Sequence, residues 1–459
     1  MRNVLFIAYY FPPIAGSGVF RSAKFAKYLP DFGWQPFVVS TSEDVLLRAY
    51  DDSMLPDLLN SAHIWRVPTP QPKPHARLRE LVFRNLSTKN KTQRGTDDVD
   101  SRASREESRR DTKAVIRNLV KVFGYPLRVI DYPLVDPQLY WSMKIIPLGL
   151  HKIRKYAINV IYTSSAPWSS LITGILLRKL TGRPWVMDMR DPWTSHEFMY
   201  HHIGWRRRVD LYIERKALDV ADKVIVTSPG YVEELRQVYG PSITAKVEVI
   251  TNGYDEQDFF SQKEERAEPE DIITLGHFGA LSWERFKPLL ESILLLKNES
   301  DALIKIRFKL FGWHEAEVIQ SIEEHSLEQN ISVGGLLEHN QAITEMQQCD
   351  ILLLLLGAQP HWSRIIPGKL FEYLRSEKPI LGVGPMGVAS DLLKEAGSGC
   401  YIAADDTAAL TAFLRRVAHQ YHSLSTEIFH PNFDKIRKFE RRALAKKLAD
   451  TLESVLVPR

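Results

Sequence analysis

A chain of 459 residues is too long for one ordinary hydrophobic core and is best divided into two domains. Apolar residues make up 44% and charged residues 25%, a balance that excludes disordered and fibrous classes. The formal charge of +4 is mild but uneven: residues 77–128 hold 14 Lys and Arg against seven Asp and Glu, so the remainder is slightly acidic.

The opening MRNVLFIAYYFPP has one basic residue, is followed by no small-residue cleavage site, and reads as a buried first strand rather than a signal peptide. Helical spacing over residues 22–29 and the strand FVVS after Gly33 complete a βαβ unit. Residues 87–112 contain only Val99 and Ala103 as aliphatic side chains, cannot bury a face and predict a mobile insertion within a basic segment at about 77–128. Its flanks, 78–86 and 115–122, have the spacing of amphipathic helices. Further on come VIYTSS, a helix over 169–180, WVMDMR, a long helix ending near Ala221, and KVIVTS.

After a polar stretch at 261–271, a second series of strand candidates begins: IITLGHFGAL, IKIRFKLFG, ISVGGLL, DILLLLLG, PILGVG and CYIAAD. Helical segments separate them, so the chain reads as α/β with two doubly wound parallel sheets facing a cleft. The apolar run at 351–356 stops at Gly357, far short of the roughly 20 residues that span a bilayer. The tail from 435 to 456 reads as one helix, with Phe439, Leu444, Leu448, Leu452 and Leu456 near one face. Cys349 and Cys400 lie in no metal-binding spacing and read as the thiols of a cytosolic protein.

Four constellations are candidates for chemistry. PPIAGSGVFR, residues 12–21, lies between the first strand and a helix, where Gly16, Ser17 and Gly18 permit close approach of a diphosphate or sugar to free amides; a plain strand-to-helix turn is the alternative. DMRDPW ends the third or fourth strand of the first half, so alternation aims Asp188, Arg190 and Asp191 at the crevice, unless Arg190 merely pairs with a neighbouring carboxylate. Arg285 and Lys287 follow the first strand of the second half, where cations either hold phosphate oxygens or stand in solvent. In IIPGKLFEYLRSEKPILGVG, Lys369 occupies the first turn of a helix, a poor place for a cation unless an anion binds there too. Glu372 lies one turn along on the same face, placed to accept from vicinal hydroxyls or to pair with Lys369.

The ordered segments YYFPPIAGSGVFRSAKFAKYLPDFGW, PWVMDMRDPW, ADKVIVTSPG, VITNGYDEQDF, FGALSWERFKPLLESI, GGLLEH and IPGKLFEYLRSEKPIL together resemble the family 4 retaining glycosyltransferases of the GT-B fold. The resemblance implies an N-terminal acceptor-side domain over 1–255, a nucleotide-sugar domain over 256–430, and a last helix, 431–459, crossing back to the first domain. It also implies that Glu372 binds the ribose hydroxyls, Arg285 and Lys369 the diphosphate, the Gly16–Gly18 loop the transferred sugar, and Leu336 and Leu337 the base. Ile366, Pro367, Gly368 and Leu370 belong to the same donor-binding motif, and Arg190 and Asp191 join Arg285 and Lys369 as catalytic candidates. Two departures stand out: Arg364 occupies the place of the first of two family glutamates, and Ser164, Ser165 and Trp168 stand where the family's usual histidine is absent.

The expected reaction is metal-independent transfer of a sugar to a saccharide or lipid-linked acceptor in polysaccharide or glycolipid synthesis, with no cofactor and no nucleic-acid partner. The expected location is cytoplasmic, with peripheral contact on an anionic membrane through basic and aromatic residues such as Arg84, Arg117, Lys121, Tyr140 and Trp141. The rival readings are a GT-B sugar-nucleotide epimerase or hydrolase and a catalytically silent nucleotide-sugar-binding module. A dinucleotide oxidoreductase fits less well, because PPIAGSGVFR lacks the three-glycine fingerprint.

Overall fold

A computed structural model describes residues 1–14, 17–42, 54–69, 135–194, 204–259, 272–299 and 301–456. The predicted insertion at 77–128, with Arg84, Arg117 and Lys121, lies outside them, as does Gly16.

In the first half the elements run β1 (Arg2–Ala8), α1 (Ser17–Tyr28), β2 (Trp34–Thr41), α2 (Leu55–Ser61), β3 (His63–Val67), α3 (Leu139–Lys155), β4 (Val160–Ser165), α4 (Ser169–Thr181), β5 (Trp185–Met189), α5 (Gly204–Val220), β6 (Lys223–Val226), α6 (Pro229–Tyr239) and β7 (Val247–Val249). The second half continues with β8 (Ile273–Phe278), α7 (Trp283–Glu299), β9 (Ile306–Phe311), α8 (Ala316–Glu324), β10 (Ile331–Gly334), α9 (His339–Gln348), β11 (Ile351–Leu355), α10 (Gly368–Arg375), β12 (Ile380–Val383), α11 (Val388–Ala396) and β13 (Gly399–Ile402). Three helices close the described chain: α12 (Thr407–Ile428), α13 (Phe433–Ile436) and α14 (Arg441–Ser454).

The strands form two all-parallel sheets, a seven-stranded one ordered β3–β2–β1–β4–β5–β6–β7 and a six-stranded one ordered β10–β9–β8–β11–β12–β13. Parallel strands buried on both faces require apolar residues at nearly every position, which is why VLFIA and ILLLL read as continuous runs. Alternation then divides β1 between two cores. Leu5 and Ile7 face Trp141, Trp185 and Leu177, while Val4, Phe6 and Ala8 face Phe25 and Ala26 of α1 together with Leu444, Leu448 and Leu452 of α14. In the second sheet Leu353 and Leu355 pack toward α7 and α12, and Leu352 and Leu354 toward α9, α10 and α11.

The described parts of the two connections between the sheets meet in a neck at Tyr254 and residues 439–441. Tyr254 donates its amide to the Phe439 carbonyl (3.1 Å) and accepts from the Arg441 amide (2.8 Å). Asp255 and Asp258 of the first connection pair with Lys24 of α1 at 2.5 and 3.1 Å, and Asp258 also meets His339 of α9 at 2.9 Å. The predicted single helix over 435–456 is therefore interrupted. Glu440 adopts extended backbone, bridges to Tyr254, and caps α14 by accepting from the Ala443 amide at 2.9 Å. Phe439, assigned by spacing to the face of that helix, packs instead on Phe371 of α10, 5.0 Å between ring centroids.

Two edge strands, β3 and β7, escaped the sequence reading, because both are short and only half-buried. Counting β3 makes the strand that ends in DMRDPW the fifth in sequence rather than the third or fourth. Helix α1 begins at Ser17, ahead of the predicted 22. Both cysteines are free, and burial pushes each thiol up to about 12. No helix among the described residues is long and apolar enough to cross a membrane.

Leu448 is fully buried between α14, α1 and the first sheet. Leu448→Ala is expected to cost about 2–5 kcal/mol in chemical denaturation, whereas Lys447→Ala on the exposed side of the same helix changes stability by less than about 0.5 kcal/mol.

Candidate active site

Each sheet reverses its strand order at the centre, between β1 and β4 in one and between β8 and β11 in the other. The carboxyl ends of such strands open a crevice, and the two crevices supply the walls of the candidate site.

On the second wall, β8 ends at Phe278 and the chain turns at Gly279, φ +116°. Gly312, φ +128°, crosses so closely that a Cβ there would lie 2.3 Å from the Gly279 carbonyl oxygen. Neither position admits a larger residue, and the paired turns hold the start of α7 at the crevice. Arg285, in the first turn of α7, donates to the Ala280 carbonyl (3.2 Å) and lies over the ring of Trp362, 4.3 Å from its centroid. The Glu284 carboxylate accepts from the Gln359 amide (3.3 Å), tying the loop after β8 to the loop after β11.

Helix α10 follows that second loop. Pro367 occupies its N-cap with no side-chain cap, so the Gly368 and Lys369 amides are left to the crevice while the Leu370 amide bonds the Pro367 carbonyl (3.1 Å), and Tyr373 holds the helix by accepting from the Phe278 amide (3.0 Å). Lys369 stands at this end, its Nζ 3.0 Å from Nε2 of His277. His277 is fully buried in β8, and its other ring nitrogen lies 3.1 Å from the Leu353 carbonyl oxygen of β11. Burial, reinforced by the charges of Lys369 and Arg285, holds His277 far below the ordinary histidine range. The neutral ring thus donates from Nδ1 to Leu353 and accepts at Nε2 from Lys369. Burial and then the Arg285 charge push the Lys369 amine down to about 7, with Glu372 pulling the other way. Glu372, one turn along, is raised by burial, a shift that His339 and Arg441 oppose.

On the first wall, the guanidinium of Arg190 at the end of β5 donates to three backbone carbonyls: Gly18 in α1, Ser165 (3.1 Å) and Ala166 (2.8 Å). Beneath it, Asp188 forms a fully buried bidentate pair with Arg21 of α1 at 2.8 and 2.9 Å and accepts from the Tyr162 hydroxyl. The walls touch where the Ser228 hydroxyl donates to the Arg364 carbonyl (2.7 Å) and the Arg364 guanidinium lies 3.8 Å from the Glu234 carboxylate.

Solved structures share this fold along nearly their whole length. HepE from Anabaena, solved with UDP and glucose, is similar at 16% identity with a TM-score of 0.62, covering 99% of this chain and 100% of that one. Sucrose-phosphate synthase from Thermosynechococcus elongatus is similar at 14% identity and a TM-score of 0.64, covering 99% of each chain. The lipopolysaccharide outer core galactosyltransferase WaaB is similar at 13% identity and a TM-score of 0.55, covering 98% of this chain and 99% of that one. Residues 94–253 match the model of the glycosyl transferase 4-like domain. The fold is GT-B. No curated protein matches the sequence.

Within this GT-B chain the sequence-derived residues separate into distinct groups. Arg285, Lys369 and Glu372 gather on the second wall, where Lys369 feels the charges of both others. Pro367 and Gly368 are half-exposed at the start of α10, but the side chains of Ile366 and Leu370 are buried in the core beneath it and can offer a ligand only their backbones. Leu336 is 77% exposed, and Leu337 packs half-buried against the same core. Lys287 turns to solvent, 3.8 Å from Glu291, and leaves the site.

On the GT-B first wall, Arg190 donates to three carbonyl oxygens and so ties Gly18 of α1 to the ends of β4 and β5. A Cβ at Gly18 would lie 2.6 Å from its Nη1. The Asp191 side chain is exposed, whereas Asp188 is consumed by Arg21 rather than aimed at the crevice. Ser17 opens α1 with its side chain outside the described residues. Ser164, Ser165 and Trp168 are buried, the last stacked on Trp193 at 6.0 Å. Trp141, expected at a membrane-facing surface, is a core residue packed edge-on to Tyr9, while Tyr140 is exposed.

The sequence reading missed His277 and Trp362. A histidine inside the apolar strand ITLGHF was the available signal, since a buried imidazole needs partners. Arg21→Met is expected to destabilise the protein by about 3–5 kcal/mol in chemical denaturation by stranding Asp188, and Arg21→Met with Asp188→Leu to restore most of the loss.

Proposed function

We propose that the protein moves a sugar from a nucleoside-diphosphate donor to a hydroxyl of a saccharide or lipid-linked acceptor, with retention, in the synthesis of a polysaccharide or glycolipid. One observation carries this reading: Arg285 and Lys369 converge beside an uncapped helix N-terminus, and among the described residues neither forms an ion pair. Two cations and free amides at a crevice match the oxygens of a diphosphate. The UDP, UDP-glucose and glucose complexes of HepE support the same class of donor.

In this reading Glu372 accepts from the ribose hydroxyls, Leu336 and Leu337 flank the base, and the glycine segment 16–18, of which Gly18 is held by Arg190, serves the transferred sugar. The bond between the anomeric carbon and the phosphate oxygen breaks while the acceptor oxygen bonds to that carbon on the same face. The departing phosphate accepts the acceptor's proton, and Arg285 with Lys369 spreads the developing charge. Closure of the two walls, which meet at Ser228 and Arg364, excludes water. For the acceptor, the exposed Trp205, Arg208 and Tyr212 on one face of α5 support docking on an anionic lipid surface.

A panel of UDP-, GDP- and ADP-sugars tested by thermal shift identifies the donor, and proton NMR of the product reads its anomeric configuration; an inverted product contradicts retention. Lys369→Met and Arg285→Met are each expected to lower turnover about 10²–10³-fold with that donor, and a variant of wild-type rate contradicts the assignment.

The amine at about 7 also fixes a pH dependence. A bound diphosphate favours the charged form and raises the value in the complex, so binding takes up a proton above pH 7. Donor affinity should fall roughly five-fold between pH 7 and pH 8, and titration of Lys369→Met should show a flat profile over that range.

A further inference from the structure

We infer that His277 is a positioning residue for donor binding: held by the Leu353 carbonyl, its Nε2 lone pair takes one N–H of Lys369 and so sets the direction of the remaining two toward the crevice. The inference rests on the nucleotide-donor reading for its functional consequence, but the pairing stands on geometry alone.

Lysine is a flexible point charge that ordinarily finds its own partner, and here it has one hydrogen bond among the described residues, to a ring 3.0 Å away. That ring cannot swing. His277 is fully buried in the middle of β8, and its Nδ1 is fixed 3.1 Å from the carbonyl of Leu353 on the adjacent strand β11. The strand pair at the switch point therefore orients an imidazole, and the imidazole orients the amine at the first turn of α10. The Lys369 amine also approaches the Gly279 turn, where a Cβ would lie 3.7 Å from Nζ.

The groups facing this pair are Arg285 from α7, Glu372 from α10 itself, and His314 from the loop after β9. Both cations and the apolar surroundings keep His277 uncharged, which preserves its lone pair as an acceptor. A charged imidazole would repel the amine and leave the helix end without an oriented donor.

The test compares wild type with His277→Gln, which keeps a donor and an acceptor, and His277→Leu, which keeps neither. Acetic anhydride labelling of Lys369, read by mass spectrometry across pH, reports its titration, and calorimetry reports inorganic pyrophosphate binding. Folded His277→Leu is expected to lower the Lys369 midpoint and weaken pyrophosphate binding about tenfold or more, with His277→Gln close to wild type on both readings. Unchanged titration and affinity in His277→Leu overturn the inference.

Lys369→Met, at a half-exposed position, gives a readout that needs no change in the core: the His277 ring nitrogen resonances should shift when the amine is removed, and unmoved resonances overturn the pairing. If the Lys369 titration follows His277 while neither pyrophosphate nor any sugar nucleotide binds the wild type, His277 still positions the amine and the donor reading fails.

Discussion

The arrangement depends on a cation placed where a protein ordinarily avoids one. Lys369 stands in the first turn of α10, at the positive end of the helix, beside a second cation and half-buried. Burial and the Arg285 charge lower the amine to about 7 against the pull of Glu372, and the helix end disfavours the charged form in the same direction. Such a site costs stability in the free protein and is relieved by an anion. The other arginines of the crevice show the contrast: Arg21 is paired with the Asp188 carboxylate and Arg190 donates to three carbonyls.

The fold serves this placement from both sides. Strand reversal between β8 and β11 opens the crevice, the Gly279 and Gly312 turns bring α7 to its edge, and the Tyr373 hydroxyl fastens α10 to β8. The neck connects the same region to the first sheet. Glu372 faces the charges of His339 in α9 and of Arg441 at the start of α14, and α14 is packed into the core of the first sheet. Asp258 joins Lys24 of α1 to His339 of α9, so the residues around Glu372 are held by elements from both halves.

Much of this was legible in the residues. Continuous apolar runs such as ILLLL and VLFIA announced buried parallel strands, and the order of strand and helix signals announced two doubly wound sheets. The three residues Arg285, Lys369 and Glu372 were legible because each lies immediately after a strand of the second sheet or on the helix that follows it, where the topology sends side chains to the crevice. Periodicity could not reveal which polar residues satisfy one another across the fold. Arg190 and Asp188 stand two residues apart on one strand, yet Arg190 meets backbone 172 residues away and Asp188 meets Arg21, 167 residues away. The half-buried edge strands β3 and β7 and the break at Glu440 were likewise set by tertiary contacts that no local pattern records.

The most direct measurement is a crystal structure of the protein with its sugar nucleotide bound. The account predicts diphosphate oxygens within hydrogen-bonding distance of Lys369 Nζ and Arg285, at the first turn of α10, with the ribose hydroxyls on Glu372. A diphosphate seated instead on the Gly18 turn beside Arg190, with Lys369 still bonded only to His277, would contradict it.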